Sequence, residues 1–340
     1  MSEKPFVSIL TPVYNGEAFI AACIESVLAQ TYTNFEYVIV NNRSTDRTLE
    51  IARSYAVNDR RIRVEDCETF VGVIENHNRA LSLASPASKY CKIVSADDWI
   101  LPECVEKMVA LAETNPSVGL VGSYAIAGTK VMNTGLPFNT NVVKGHVVCR
   151  ASLLGGPYVF GSPSSLMYRA DLTRQTNAFF PNPNPHSDTT ACYEVLQQSD
   201  FGFVHQILTG TRVHSGSETS KSFKHGTLYR ALLADLARYG PIHLTPEELK
   251  SQRDEFMAMY YEWLIAALYT NRKDPKFWAV QKAELEEAGI HVSYAKLALG
   301  ALARGFHTVL EIVADPRMRV QRILRFVRQD AKKVKAEYYT

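Results

Sequence analysis

Along the first hundred residues, short and nearly continuous apolar runs alternate with longer stretches in which apolar residues recur every three or four positions. Phe6-Val7-Ser8-Ile9-Leu10 is a run of the first kind and ends at Thr11-Pro12. Over residues 17–28, by contrast, Phe19, Ile20, Cys23, Ile24, Val27 and Leu28 share one helical face. The alternation then repeats. Residues 37–40 read as a strand, and Ser44 or Thr45 is the expected N-cap of a helix through Leu49, Ile51 and Ala52. Residues 61–64 read as a strand, 72–83 as a helix and 90–94 as a strand; Pro102 opens a helix to Ala112. Strands separated by helices of this length predict βαβ units and an α/β fold with a largely parallel sheet.

Ligands bind such sheets outside the carboxyl ends of the strands. Three of those ends are polar here, at residues 11–14, 41–46 and 95–98, and they point to one site. Beyond Tyr124 the pattern loosens into a stretch punctuated by Gly155-Gly156-Pro157 and Gly161-Ser162-Pro163, the kind of insert that is usually functional or mobile. Ser187 or Asp188 then caps a helix to about Leu196, and residues 201–213 read as a strand. From residue 226 the pattern is helical, at 228–236, 247–270, 276–287, 294–313 and 317–334. The expected organisation is a first domain over 1–225, with halves 1–125 and 126–225, and a helical region over 226–340.

Composition narrows the class. With 340 residues, 46% hydrophobic and 21% charged, the chain is neither disordered nor fibrous. It has no apolar run of eighteen residues and opens without an apolar leader, so the expected location is the cytoplasm. Six cysteines without a C-x-x-C pair predict packed, reduced thiols. The net charge of +2 is a cancellation: residues 1–225 hold 19 basic against 21 acidic side chains, and residues 226–340 hold 18 against 14. Eight basic residues and one acid lie between Arg317 and Lys335, around an apolar face of Val320, Ile323, Leu324, Val327, Ala331 and Val334. Such a helix can lie peripherally on an anionic membrane, or pack on the protein with its charges solvated. Nucleic acid is not an expected partner, because no aromatic-interleaved basic patch accompanies it.

Four linked segments carry chemistry: Thr11-Pro12-Val13-Tyr14-Asn15, Ser26-Val27-Leu28-Ala29-Gln30-Thr31-Tyr32, Asn41-Asn42-Arg43-Ser44-Thr45-Asp46 and Ala96-Asp97-Asp98-Trp99. In this order they resemble the family 2 glycosyltransferases of the GT-A fold, a Rossmann-like and mostly parallel sheet flanked by helices. Gly161 to Arg169, Ser187-Asp188 and Arg212-Val213-His214 extend the resemblance over residues 5–220, and the helical region follows as a C-terminal extension. The resemblance implies an inverting transferase that moves a sugar from a nucleotide-diphosphate sugar to an acceptor hydroxyl, in surface polysaccharide or lipid-linked glycan synthesis. It implies donor contacts at Thr11, Pro12, Tyr14, Glu17, Asn42, Asn78, Asp97 and Asp98, a Mn²⁺ or Mg²⁺ ion on Asp98 and His214, and Asp188 as the catalytic base. Physically, adjacent carboxylates offer hard oxygen ligands to a divalent ion on a diphosphate, and a carboxylate near the acceptor can take its proton.

The chain departs from the family pattern at three places. Asn42 stands where relatives often have an acid, His77 where they often have an arginine, and Ser95 where a first aspartate is common. These departures keep a non-catalytic nucleotide- or glycan-binding relative open as an alternative. A sugar nucleotidyltransferase is the other; it normally needs a Gly-rich basic phosphate loop, and Tyr14-Asn15-Gly16-Glu17 is not one.

Overall fold

A computed structural model describes residues 4–302, except 177, 182–185, 215–221, 223–224, 288–289 and 294. The chain forms two compact units that divide between His214 and Ser215, so the boundary expected after residue 225 falls within the second. The basic helix expected over 317–334, and most of the one before it, lie outside the described residues.

The first unit opens with β1 (Val7–Val13), α1 (Ile20–Leu28), β2 (Phe35–Asn41), α2 (Thr48–Ala56), β3 (Ile62–Asp66), α3 (Val73–Ser82) and β4 (Tyr90–Ile93). It continues through β5 (Trp99–Ile100), α4 (Cys104–Thr114), β6 (Val118–Ala127), β7 (Lys130–Met132), β8 (Val142–Val143) and α5 (Gly145–Leu153). A 3-10 turn at Pro163–Ser165, β9 (Leu166–Arg169), α6 (Ala170–Thr173), α7 (Ser187–Leu196) and β10 (Asp200–Thr211) complete it. All ten strands form one sheet, ordered β3-β2-β1-β4-β9-β6-β10-β5, with β7 on β6 and β8 on β10. The β3-β2-β1-β4 block and the β6-β10 pair are parallel, and β9 runs antiparallel between β4 and β6. Every residue of β1 is buried, as a strand covered by helices on both faces should be. The apolar stripe of α1 supplies Ile20, Cys23, Ile24 and Val27 to the same core cluster as Cys104, Val105, Met108 and Val109 of α4.

Two local expectations change. Ser44 and Thr45 do not cap α2; Asp46 Oδ1 accepts the Thr48 amide at 3.0 Å instead. Both residues are taken by the neighbouring loop, where Asn15 N donates to Ser44 Oγ at 2.9 Å and Thr45 N to Asn15 Oδ1 at 2.8 Å. The N-cap of α7 is His186, which puts Asp188 inside the first turn. The strand β9 and the helix α5 emerge from the stretch that reads as irregular. Gly145, the first residue of α5, has no room for a β-carbon, which would sit 2.1 Å from the Leu196 carbonyl oxygen, so the amino end of α5 abuts the carboxyl end of α7. The six cysteines are free thiols, and all but Cys67 are buried.

The second unit contains α8 (Thr227–His243), α9 (Pro246–Thr270) and α10 (Pro275–Glu287). Helix α9 begins with Pro246 and a capping box between Thr245 and Glu248. Tyr229, Tyr260 and Trp263 stack between α8 and α9, and the buried Arg230 guanidinium donates to Gln281 Oε1 at 2.8 Å. No described helix is long and apolar enough to cross a membrane.

One close approach positions the far edge of the sheet. Gly210 of β10 pairs with Trp99 of β5, and a β-carbon at Gly210 would lie 2.0 Å from the indole ring. Gly210→Ala is expected to lose roughly 1–3 kcal/mol, the usual cost of overpacking. Urea denaturation followed by tryptophan fluorescence measures it, and a midpoint equal to wild type would contradict the packing.

Candidate active site

The sheet topology brings the polar ends of β1, β2, β4 and β10 to one edge. The turn after β4 closes through the Asp98 amide on the Ser95 carbonyl at 2.9 Å, and the two neighbouring carboxylates differ in exposure and partners. Asp97 keeps 32% of its side chain exposed, and its Oδ2 lies 2.9 Å from His214 Nε2. Asp98 is 3% exposed. Its Oδ1 accepts the Arg212 amide at 3.2 Å, and the Ser164 hydroxyl also hydrogen-bonds it. Burial, and then the charge of Asp97, push the Asp98 carboxyl up to about 7, against the Ser164 and Arg212 hydrogen bonds.

Ser164 also accepts the Ser95 amide on Oγ at 2.9 Å, and its carbonyl accepts the ammonium of Lys92 at 2.7 Å. Lys92 is fully buried on β4 and makes a second bond to the Leu166 carbonyl at 3.2 Å; burial lowers its pKa. Arg212 and His214 leave the end of β10 together. The guanidinium of Arg212 lies 5.4 Å from the Phe19 ring and 5.0 Å from the Trp99 ring, and the imidazole of His214 lies 5.1 Å from Phe19.

The residues expected to touch a donor fall into two groups. Tyr14 is 48% exposed, and its ring meets the edge of Phe70, also exposed, at 4.8 Å. Phe70 had no periodic signal in the sequence. The others are engaged with the protein. Thr11 Oγ1 donates to the Val94 carbonyl at 2.9 Å, and Pro12 is buried within β1. Glu17 accepts the Arg47 amide at 2.9 Å. Asn42, 2% exposed, makes a two-point contact with Val71: its Nδ2 donates to the Val71 carbonyl at 2.8 Å and its Oδ1 accepts the Val71 amide at 3.0 Å. Asn78 does the same to Phe180, with both distances 2.8 Å. His77 donates from Nδ1 to the Val73 carbonyl at 2.8 Å, which leaves the neutral ring's lone pair on Nε2. Burial lowers the His77 pKa, opposed by that carbonyl and by Asp97.

Asp188 stands in the first turn of α7, at the end of that helix away from Gly145. Burial pushes its carboxyl up to about 6, against the Thr189 amide, which donates to Oδ1 at 2.9 Å. Two carboxylates, Asp97 and Asp188, therefore sit in unlike environments, one part-exposed beside an imidazole and one shifted by burial.

The donors present fit a divalent ion carried by a nucleotide. Among the described residues no group of three or more His, Cys, Asp or Glu could hold an ion by itself. Asp97 and His214 offer one carboxylate and one imidazole, a pair suited to an ion whose other ligands are diphosphate oxygens and water.

Comparison with known proteins bears on the family and the fold. The family described as glycosyl transferase family 2 matches residues 8–174. An uncharacterized glycosyltransferase of Haemophilus influenzae is 28% identical over 233 residues, 66% of this chain and 70% of that protein. Glycosyltransferase GlyG of Streptococcus pneumoniae is 31% identical over 124 residues, 36% of this chain and 40% of that protein. Among solved structures, S. aureus TarS 1–349 in complex with UDP-GlcNAc has a TM-score of 0.61 at 19% identity, covering 84% of this chain and 80% of that one. The mannosyltransferase PcManGT from Pyrobaculum calidifontis, in complex with GDP-Man and Mn²⁺, has a TM-score of 0.54 at 17% identity, covering 99% and 88%. The fold is that of the GT-A structures, and through residues 8–174 the chain belongs to glycosyl transferase family 2.

Proposed function

We propose that this protein transfers a sugar from a nucleoside-diphosphate sugar to an acceptor hydroxyl, in one displacement with inversion. The observation that carries this reading is the open Asp97–His214 pair, 2.9 Å apart at the strand ends, together with a separate, desolvated Asp188. Asp97 and His214 would hold a Mn²⁺ or Mg²⁺ ion, which when bound offsets charge developing on the leaving diphosphate. Tyr14 and Phe70 offer aromatic faces for the base of the nucleotide. Asn42 serves the same end from beneath, fixing Val71 next to Phe70. Asp98 holds the Arg212 amide, so that His214, two residues on, lies beside Asp97. Asp188 takes the proton from the acceptor hydroxyl as it attacks.

A thermal-shift panel of nucleoside diphosphates and nucleotide-sugars, with Mn²⁺ or with EDTA, tests the donor site. A ligand at about 100 times its Kd adds about 2.7 kcal/mol of stability. The matched nucleotide is expected to raise Tm more with Mn²⁺ than with EDTA, and Asp97→Asn and His214→Ala are expected to abolish that difference. No shift with any nucleotide would reject the donor reading; equal shifts with EDTA would reject the metal assignment.

The base assignment makes a kinetic prediction. Asp188→Asn is expected to lower turnover by about 10²–10⁴-fold while the nucleotide-induced Tm shift survives. A base must be unprotonated, so activity is expected to fall tenfold per pH unit below about 6, the value set by burial. An acidic limb near the ordinary carboxylate pKa in a log kcat/KM profile would contradict the burial of Asp188.

Asn42→Asp tests the scaffold role. It places a carboxylate oxygen where Nδ2 now donates to the Val71 carbonyl at 2.8 Å. A loss of roughly 1–3 kcal/mol at pH 7 is expected. Part of that loss should return on acidification, because the protonated carboxyl can donate again. Urea titrations at pH 7 and pH 5 give the comparison, and a variant as stable as wild type at pH 7 would contradict the clamp.

A further inference from the structure

Residues 154–162 lead from the end of α5 to the 3-10 turn and are pinned on both sides of Tyr158. Before it, the Gly156 amide donates to the Ala151 carbonyl at 2.9 Å. After it, Val159 and Phe160 are buried, and the Phe160 ring stands edge-on to Tyr193 of α7 and Phe201 of β10 at 6.1 and 5.6 Å. Gly161 then turns at φ 73° against Asn133, which is itself bonded to the Ser123 carbonyl at 2.9 Å. Between these anchors Tyr158 is 45% exposed. Its hydroxyl points inward, donating to the Gly161 carbonyl at 3.2 Å and meeting Thr189 Oγ1 at 2.8 Å. Thr189 is the neighbour of Asp188 and donates its amide to that carboxylate. Burial, and then the charge of Asp188, hold the Tyr158 phenol well above its ordinary pKa, so it stays protonated and is not a second base.

We propose that Tyr158 is an acceptor-binding residue, whose exposed ring takes the C–H face of a pyranose ring and sets one of its hydroxyls at Asp188. This rests on the reading of Asp188 as the base. An aromatic ring is negative on its face and attracts weakly positive C–H edges, whereas an anionic phosphate gains nothing there. Because both ends of the side chain are held before any ligand arrives, little conformational entropy remains to be lost on binding. The acceptor class this selects is a glycan presenting a sugar ring, rather than a bare phosphate or a simple phosphoalcohol.

The test uses the full chain with Mn²⁺ and the nucleoside diphosphate giving the largest thermal shift. Saturation-transfer NMR and titration with methyl glycopyranosides of glucose, galactose, mannose and N-acetylglucosamine supply the sugar probes, and glycerol phosphate is the anionic control. At least one glycoside is expected to bind. Its Kd should rise tenfold or more in Tyr158→Ala and no more than about threefold in Tyr158→Phe, while the nucleotide Kd changes less than twofold in either. Circular dichroism and Tm confirm that both variants fold. The proposal is overturned if no glycoside binds the wild type, if glycerol phosphate binds as well as the best glycoside, if Tyr158→Ala binds sugar like wild type, or if Tyr158→Phe loses as much as Tyr158→Ala. Failure of every nucleotide to bind would instead strike the donor reading, and the glycoside titrations then judge Tyr158 by themselves.

Discussion

Removing a carboxylate from water costs several kcal/mol unless its oxygens are satisfied by well-placed donors, and Asp98 is almost wholly removed. Its donors come from the Arg212 main chain, at the end of β10, and from Ser164, in the turn before β9. Ser164 is in turn fixed by the Ser95 amide and by the buried ammonium of Lys92, so a second buried charge lies within the same network. Three segments far apart in the chain thus meet on one carboxylate. With Asp98 turned inward, the tight turn leaves Asp97 facing out. The strand end held by Arg212 then carries His214 to within 2.9 Å of it. The open Asp97–His214 pair, on which the proposed donor site rests, is a consequence of the buried carboxylate beside it.

Two asparagines brace the same edge by a different match. A primary amide has one donor side and one acceptor side, the same pairing that a backbone carbonyl and amide present in reverse. Asn42 uses it to hold Val71, and Asn78 to hold Phe180. An ionised carboxylate at either position accepts only and would face a carbonyl oxygen. The amide at 42 is therefore accounted for by the loop that contains Phe70.

Where the sequence was legible, the signal was local. The stripe of Ile20, Cys23, Ile24 and Val27 defines α1 within nine residues, and the buried run of β1 reads directly as a strand covered on both faces. The convergence of polar strand ends follows once the order of strands and helices is parallel. Strand β9 was not legible, because four residues wedged antiparallel between β4 and β6 are held by partners more than forty positions away. Orientation within the pair Asp97-Asp98 was hidden for the same reason: which carboxylate is buried depends on Ser164 and Arg212, not on the dipeptide. Asn42 and Asn78 carried the residue type expected of ligand contacts, and the loops they hold could be identified once the chain was folded.

The two ends of the candidate site face opposite electrostatic demands. A group that holds a cation must remain charged and open, and Asp97 is half-exposed beside an imidazole. A group that accepts a proton from an alcohol works best with a pKa near the working pH, and that requires shelter from water. Asp188 is sheltered, with the phenol of Tyr158 and the hydroxyl of Thr189 on its flank, and the backbone amides of Thr189 and of Asp188 itself stabilise its charge. Bringing a basic side chain against it would return the carboxyl toward its ordinary range and weaken it as a base. On the proposed reading, the hydroxyl and aromatic neighbours described around Asp188 would serve both demands, since burial raises the proton affinity of the carboxylate while Tyr158 offers an uncharged face to a sugar.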